Sequence, residues 1–137
     1  MSARNQEQIL LVDNNPLFRE TLAQRLQRAG YQVMTAETGE QAFSLVRNWV
    51  RPVGWLYTRA ALPRLVDGWI LADAYHEVHP QRPVVISAAE ARVSARDFIL
   101  RQPGPAAVLK ALLGVVKGER ATPSAAEVDA VETRRAA

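Results

Sequence analysis

Residues 9–16 read ILLVDNNP, and this stretch constrains the fold more than any other. Its four apolar residues run without a polar break, which is typical of a strand buried on both faces of a parallel sheet. Asn and Pro favour the first turn of a helix, so the pattern predicts a strand-to-helix junction at Asp13. Ligands of open α/β sheets bind at this carboxyl edge, and Asp13 is therefore the first candidate site residue.

Strands and helices alternate along the rest of the chain. Short apolar runs predict further strands at 31–36, 53–57, 84–86 and 98–100, and helical periodicity predicts helices that follow all of the strands except the fourth. The second helix is expected to extend to Trp49, and residues 58–66 are expected to form a loop. Alternation with short connections predicts a doubly wound parallel α/β sheet with helices on both faces.

Composition limits the classes of function. The chain has 137 residues, no cysteine and a net charge of +3, which predicts one domain without disulfides or thiol chemistry. It has neither a membrane-length apolar run nor a signal sequence, so we expect a cytoplasmic protein. Its arginines are scattered, so we expect no direct nucleic-acid binding. Apolar periodicity fades after Lys117, which predicts a domain over 1–117 and a mobile tail over 118–137.

Several motifs follow one another over about residues 7–117. They are ILLVDNNP, Arg51-Pro52 before the third strand, Asp67-Gly68 at the third helix, PVVISA at 83–88, and Pro103. In this order they resemble the receiver domain of bacterial response regulators, which accepts phosphate in two-component signalling. The resemblance implies a flavodoxin-like sheet of five strands in the order 2-1-3-4-5. It also implies a site in which two adjacent acids hold Mg²⁺ and an aspartate ending the third strand accepts phosphate.

The acidic positions of this chain depart from the site that the resemblance implies. Asp13 matches the first acid, but Asn14 stands in place of the second. The phosphate-accepting position falls on Thr58 when counted from Arg51-Pro52 and on Arg59 when counted back from Pro63. An acyl phosphate requires a carboxylate, so neither residue can accept phosphate in this way. A single carboxylate also binds Mg²⁺ poorly, so we expect no cofactor, with Asp13 as a weak candidate ligand.

The remaining positions of the implied site match only in part. Ser87 matches a hydroxyl that contacts the phosphoryl group, whereas Gln102 stands in place of a lysine and Arg101 lies directly before it. We hypothesise that a guanidinium group, from Arg59 or Arg101, lies against Asp13 and replaces the metal. Arginine stays charged and forms forked hydrogen bonds with a carboxylate, so this pairing would hold the site in one state.

The connection between the fourth and fifth strands is short. Only fourteen residues, 88–101, lie between Ser87 and Gln102. With a rise of about 1.5 Å per residue, they cannot supply two loops, a helix of three turns and a strand. The sequence therefore predicts a shortened or missing helix here. In the family that the chain resembles, the surface around this helix passes the phosphorylation signal to a partner.

These departures favour a stand-alone receiver-like domain that is not an enzyme and acts as a protein-interaction module independent of phosphorylation. The expected partners are a histidine kinase, another signalling protein, or a second copy in a homodimer. One alternative is a phosphorelay receiver with an unusual acceptor. A second is a small flavodoxin-like enzyme or flavin-binding protein, although the carboxylate of Asp13 would repel a flavin phosphate.

Overall fold

A computed structural model describes residues 7–48, 50–90 and 92–118 of the chain. In these ranges the five strands form one parallel sheet in the order β2-β1-β3-β4-β5, which confirms the predicted fold class and strand order. The elements are β1 (Gln8–Val12), α1 (Pro16–Arg28), β2 (Val33–Ala36), α2 (Gly39–Val46), β3 (Val53–Arg59), α3 (Gly68–Val78), β4 (Val85–Ala88), β5 (Phe98–Arg101) and α4 (Pro105–Val116).

Helices cover both faces of the sheet, which explains the unbroken apolar run of β1. Successive side chains of a strand point to opposite faces. Ile9 and Leu11 pack in a cluster with residues of α1 and α4, whereas Leu10 and Val12 pack in a cluster with residues of α2 and α3. Full burial of one such side chain stabilises the fold by about 1.5–3 kcal/mol, so β1 contributes strongly to the free energy of unfolding.

The helices begin at the capping residues that the sequence offers. The side chains of Asn15, Thr38 and Asp67 each accept a hydrogen bond from the backbone N–H three residues later. Each bond satisfies a donor that the first turn of a helix leaves free. Gly30, with φ of 97°, follows the end of α1 in a conformation that favours glycine.

Several predicted boundaries are wrong, among them the start of β2, which lies at Val33 and not at residue 31. β3 continues through Thr58 and Arg59, which the sequence predicts as loop, because β3 is a central strand and both residues pair with neighbouring strands. The predicted second helix extends to Trp49, but α2 ends at Val46 and Arg47 is its C-cap. Trp49 itself lies outside the described residues, as do residues 119–137 of the predicted tail.

The connection from β4 to β5 contains no helix in its described residues, 89–90 and 92–97. The predicted loss of a helix is therefore confirmed. Asp97 closes this connection: its Oδ1 accepts the N–H of Val84 at 2.9 Å and lies 3.0 Å from Nε2 of His76. Neither ring nitrogen of His76 has a well-oriented hydrogen-bond partner among the described residues. The carboxylate of Asp97 thus connects the start of β5 to the residue before β4 by a hydrogen bond, and it lies close to α3.

Candidate functional site

Asp13 follows β1 at the carboxyl edge of the sheet, and its side chain is 0% exposed. Both carboxylate oxygens are occupied by donors. Oδ1 accepts the N–H of Asn15 and Nε of Arg59, each at 2.9 Å, and Oδ2 accepts the hydroxyl of Tyr57 at 2.9 Å. A buried carboxylate requires such partners, since an unpaired charge in the interior is strongly unfavourable. All three hydrogen-bond donors belong to residues of this chain.

The cationic partner of Asp13 is Arg59, the last residue of β3. Its Nε donates to Asp13 Oδ1, and its side chain is 32% exposed, so the pair lies at the border between interior and solvent. Burial alone would lower the pKa of Arg59, but the hydrogen bond and the negative charge of Asp13 outweigh it and raise the pKa above its ordinary value. Of the two arginines proposed to replace the metal, Arg59 makes the contact.

Tyr57 is a site residue that the sequence analysis missed, because it belongs to a run that reads as a buried strand. It lies two positions before Arg59, and side chains with this spacing share one face of a strand. Its ring stacks on that of Phe18 in α1, with centroids 6.0 Å apart and planes 19° from parallel. Burial raises the pKa of Tyr57 far above its ordinary value, and the charge and hydrogen bond of Asp13 raise it further.

The backbone of Asp13 is held as well as its side chain. Nη1 of Arg19 donates to the main-chain carbonyl of Asp13 at 2.7 Å, and Nη2 of Arg19 lies 3.8 Å from a carboxylate oxygen of Glu37. The guanidinium carbon of Arg59 lies 5.8 Å from the ring centroid of Phe18. These contacts from α1 and from the residue after β2 enclose the β1–β3 corner, by which we mean Asp13, Tyr57 and Arg59.

Ser87 is the one further predicted site residue that joins this corner. It pairs with Arg59 in the register of β3 and β4, it is buried, and its hydroxyl opposes part of the rise in the pKa of Tyr57 that burial and Asp13 cause. Thr58 lies between Tyr57 and Arg59 and therefore points to the opposite face; its hydroxyl donates to the carbonyl of Arg59 at 3.0 Å.

Three predicted residues remain outside the corner. Asn14, Arg101 and Gln102 are exposed, and no hydrogen bond or ion pair in the described chain joins any of them to Asp13. Gln102 adopts a φ of 43°, and its backbone N–H donates to the carbonyl of Ala88 at 2.9 Å. Of the two arginines in the hypothesis, Arg59 contacts Asp13 and Arg101 does not.

The five-stranded parallel sheet in the order β2-β1-β3-β4-β5 is the fold of receiver domains. Residues 9–111 match the family described as response regulator receiver domain. Because the match spans most of the chain, the chain belongs to this family, whose members act in two-component signalling and interact with histidine kinases and other signalling proteins. No curated protein sequence matches the chain significantly. Within the described chain, no helix combines the length and apolar character needed to cross a membrane.

Solved structures show the same fold. A response regulator receiver protein from Sinorhizobium medicae WSM419 is 21% identical, with a TM-score of 0.72 over 82% of this chain and 95% of that one. A CheY-like receiver domain protein from Methanospirillum hungatei JF-1 is 19% identical, with a TM-score of 0.68 over 81% and 94%. The NarL receiver domain from Mycobacterium tuberculosis is 23% identical, with a TM-score of 0.62 over 82% and 99%.

Receiver domains typically bind Mg²⁺ in an acidic pocket, but the residues present here do not fit that ion. Mg²⁺ requires several oxygen ligands in octahedral order. The corner offers one carboxylate, Asp13, whose oxygens already accept three hydrogen bonds and whose charge is balanced by Arg59. Asn14 adds no charge. In the described chain, no group of three or more metal-ligating side chains comes together.

Proposed function

We propose that this chain is a receiver domain that acts as a protein-interaction module without being phosphorylated. The observation that carries the proposal is the hydrogen bond between Arg59 and Asp13, at 2.9 Å, because Arg59 is one of the two positions at which the resemblance expects a phosphate-accepting carboxylate. Arg59 cannot form an acyl phosphate, since that bond requires a carboxylate oxygen as nucleophile.

Asp13 is also a poor replacement acceptor. Its carboxylate is buried and takes part in three hydrogen bonds, so an incoming phosphoryl group would have to displace Tyr57 or Arg59. Receiver domains use a bound metal to offset the negative charge of the phosphoryl group, and this corner has no metal site to do so. The alternative of a phosphorelay receiver with an unusual acceptor therefore lacks a suitable nucleophile here.

The guanidinium of Arg59 acts instead as a permanent counter-ion for Asp13. A metal ion and a phosphoryl group come and go, whereas an arginine side chain is covalently part of the chain and always charged. The corner is thus held in a single charge state. We expect the domain to present the same surface to a histidine kinase, another signalling protein or a second copy under all phosphorylation conditions, with no catalytic activity of its own.

Intact mass spectrometry after incubation with acetyl phosphate and Mg²⁺ tests this proposal. We expect no added phosphoryl group on the native chain. A matched double variant, Asn14→Asp/Arg59→Asp, restores the acids at two of the differing positions and is expected to gain Mg²⁺-dependent labelling. A response regulator with an intact acceptor serves as the positive control for the reagent. Labelling of the native chain that Asp13→Asn abolishes would support the unusual-acceptor alternative and overturn the proposal.

A further inference from the structure

β5 is an edge strand of the sheet, and its outer edge pairs with no strand of the described chain. The N–H groups of Phe98, at its start, and Gln102, just after its end, donate to carbonyls at either end of β4. Because the backbone groups of a strand alternate in direction, the N–H and C=O groups of Ile99 and Arg101 point away from β4. Such an edge is a template for pairing with a further strand.

The side chains of β5 are mostly apolar and are incompletely covered. Phe98, Ile99 and Leu100 form an unbroken apolar run, and all three are partly exposed, whereas the apolar run of β1 is fully buried. The side chain of Ile99 lies on the face of α2 and α3, where the connection before β5 contains no helix in its described residues. A second apolar strand beside β5 would therefore cover surface that this part of the chain leaves exposed.

The sequence of β5 is complementary to itself in the antiparallel direction. When a two-fold axis passes through Ile99, this residue lies opposite Ile99 of the second copy. Phe98 then lies opposite Leu100 of the second copy, and Asp97 lies opposite Arg101. The outward-pointing residues form the hydrogen-bonded pairs of an antiparallel ladder. Backbone bonds join the two Ile99 residues in both directions, and the N–H of each Arg101 donates to the carbonyl of Asp97 in the other copy.

The charges at the two ends of β5 favour this register over its neighbours. Oδ1 of Asp97 accepts a backbone N–H and lies 3.0 Å from His76 and 3.9 Å from Arg96, whereas Oδ2 accepts no hydrogen bond from the described residues. Arg101 is exposed and forms no ion pair within the described chain. Opposite charges that face each other across two strands stabilise their pairing. Moving the axis by one residue towards Arg101 would place this cation against Ile99.

We propose that two copies of this chain associate through antiparallel pairing of their β5 strands. The other edge strand, β2, has no opposite charges at its ends, where Gln32 precedes it and Glu37 follows it. The inference rests on the interaction role proposed above and selects a second copy from the partners named there. Because β5 has only four residues, the interface belongs to the small and transient class.

Sedimentation velocity of the full chain at increasing concentration tests the proposal. We expect the native chain to pass from monomer to dimer between about 10 and about 500 µM. Arg101→Glu places like charges opposite each other at both ends of the paired segment and should raise the dissociation constant about tenfold, whereas Arg101→Lys should keep the dimer. Arg28→Glu, the same change of charge on α1, is the matched control and should leave the dissociation constant unchanged.

Single cysteines report the register, because the native chain has no cysteine. Residues directly opposite each other in an antiparallel hydrogen-bonded pair have Cα atoms about 5.5 Å apart, which a disulfide can span. Ile99→Cys should therefore cross-link two copies under mild oxidation. Leu100→Cys should not, since each residue 100 lies opposite residue 98, and neither should Thr35→Cys on β2.

A native chain that stays monomeric at the highest concentration would overturn the proposal, and this measurement does not depend on the folding of any variant. Equal dissociation constants for Arg101→Glu and Arg28→Glu, or cross-linking of Leu100→Cys in place of Ile99→Cys, would also overturn the pairing. Each of these results leaves the mass-spectrometric test untouched, so a failure of β5 pairing and a failure of phosphorylation independence are distinguished.

Discussion

The β1–β3 corner and the β4 groove, by which we mean the concavity lined by Leu65, Trp69 and Ala88, lie at the same carboxyl edge of the sheet, but they differ in opposite ways from the receiver that the sequence resembles. At the corner, polar groups of the chain surround one carboxylate: Asp13 accepts from Asn15, Tyr57 and Arg59. At the β4 groove, a helix is missing and apolar side chains such as Leu65 remain exposed. One region is closed by its own contacts, and the other leaves apolar surface exposed.

This difference predicts which substitutions change the stability of the fold and which change binding. Replacing a ligand site by an internal ion pair makes the corner dependent on contacts between residues that are far apart in sequence. The connection without a helix leaves apolar surface at the β4–β5 end exposed in the described chain. We therefore expect substitutions at the corner to change the free energy of unfolding, and substitutions at the exposed β4–β5 end to change binding.

Among substitutions of polar residues, the largest loss of stability is expected for Asp13→Ala. It leaves the hydroxyl of Tyr57 and the guanidinium of Arg59 without their shared acceptor, and we expect a cost of roughly 3 kcal/mol in urea denaturation. Glu20→Ala, which removes an exposed carboxylate from α1, is the matched control and should change stability by less than about 0.5 kcal/mol. Equal stability of the two variants would show that the corner is not a structural ion pair.

Asp97→Ala should have the next largest effect. It removes the acceptor of the buried N–H of Val84 and the carboxylate beside His76, and we expect a loss of roughly 2 kcal/mol. Asp73→Ala, on the exposed side of α3, is the control and should be nearly neutral. If both variants unfold at the same urea concentration, Asp97 does not anchor the helix-less connection.

Alkaline pH provides a third comparison. Burial raises the pKa of both Tyr57 and Tyr75 far above its ordinary value, so both stay neutral in the fold and ionise after unfolding above about pH 10. The contribution of these neutral tyrosines to the free energy of unfolding is complete below about pH 10. Above that pH the free energy of unfolding falls by about 1.4 kcal/mol per pH unit for each tyrosine. Tyr57→Phe keeps the stacked ring and should reduce by half the slope of the free energy of unfolding against pH above about pH 10. An unchanged slope would mean that Tyr57 is exposed to solvent.

The smallest effect is expected at the β4 groove. Leu65→Ala removes an 88% exposed side chain and should change the free energy of unfolding by less than about 0.5 kcal/mol. Leu71→Ala, in the buried face of α3, removes the same atoms and should cost about 2–5 kcal/mol. A cost above about 1 kcal/mol for Leu65→Ala would show that the groove belongs to the core.

Most of the fold could be predicted from local patterns in the sequence. Apolar runs identified the strands, and capping residues such as Asn15 and Asp67 identified where helices begin, because both depend on neighbouring residues. The missing helix followed from counting residues between Ser87 and Gln102. The extension of β3 to Arg59 could not be predicted in this way, because it depends on pairing with β1 and β4.

The site could be predicted only in part, for a similar reason. The choice between Thr58 and Arg59 depended on which motif the count began from, and the sequence alone does not say which of the two side chains faces Asp13. Tyr57 was missed because an aromatic residue in an apolar run reads as core. The alternation of side chains along a strand would have placed it beside Arg59, had the strand been extended by two residues.

The most direct test of the central claim, that an arginine has replaced the metal at this edge, is a Mg²⁺ titration followed by NMR. We expect millimolar Mg²⁺ to cause no saturable shift in the amide signals of residues 13–15 and 57–60 of the native chain. The same titration should produce saturable shifts in the Asn14→Asp/Arg59→Asp variant. Saturable shifts around Asp13 in the native chain would show that Mg²⁺ binds there and that Arg59 has not replaced it.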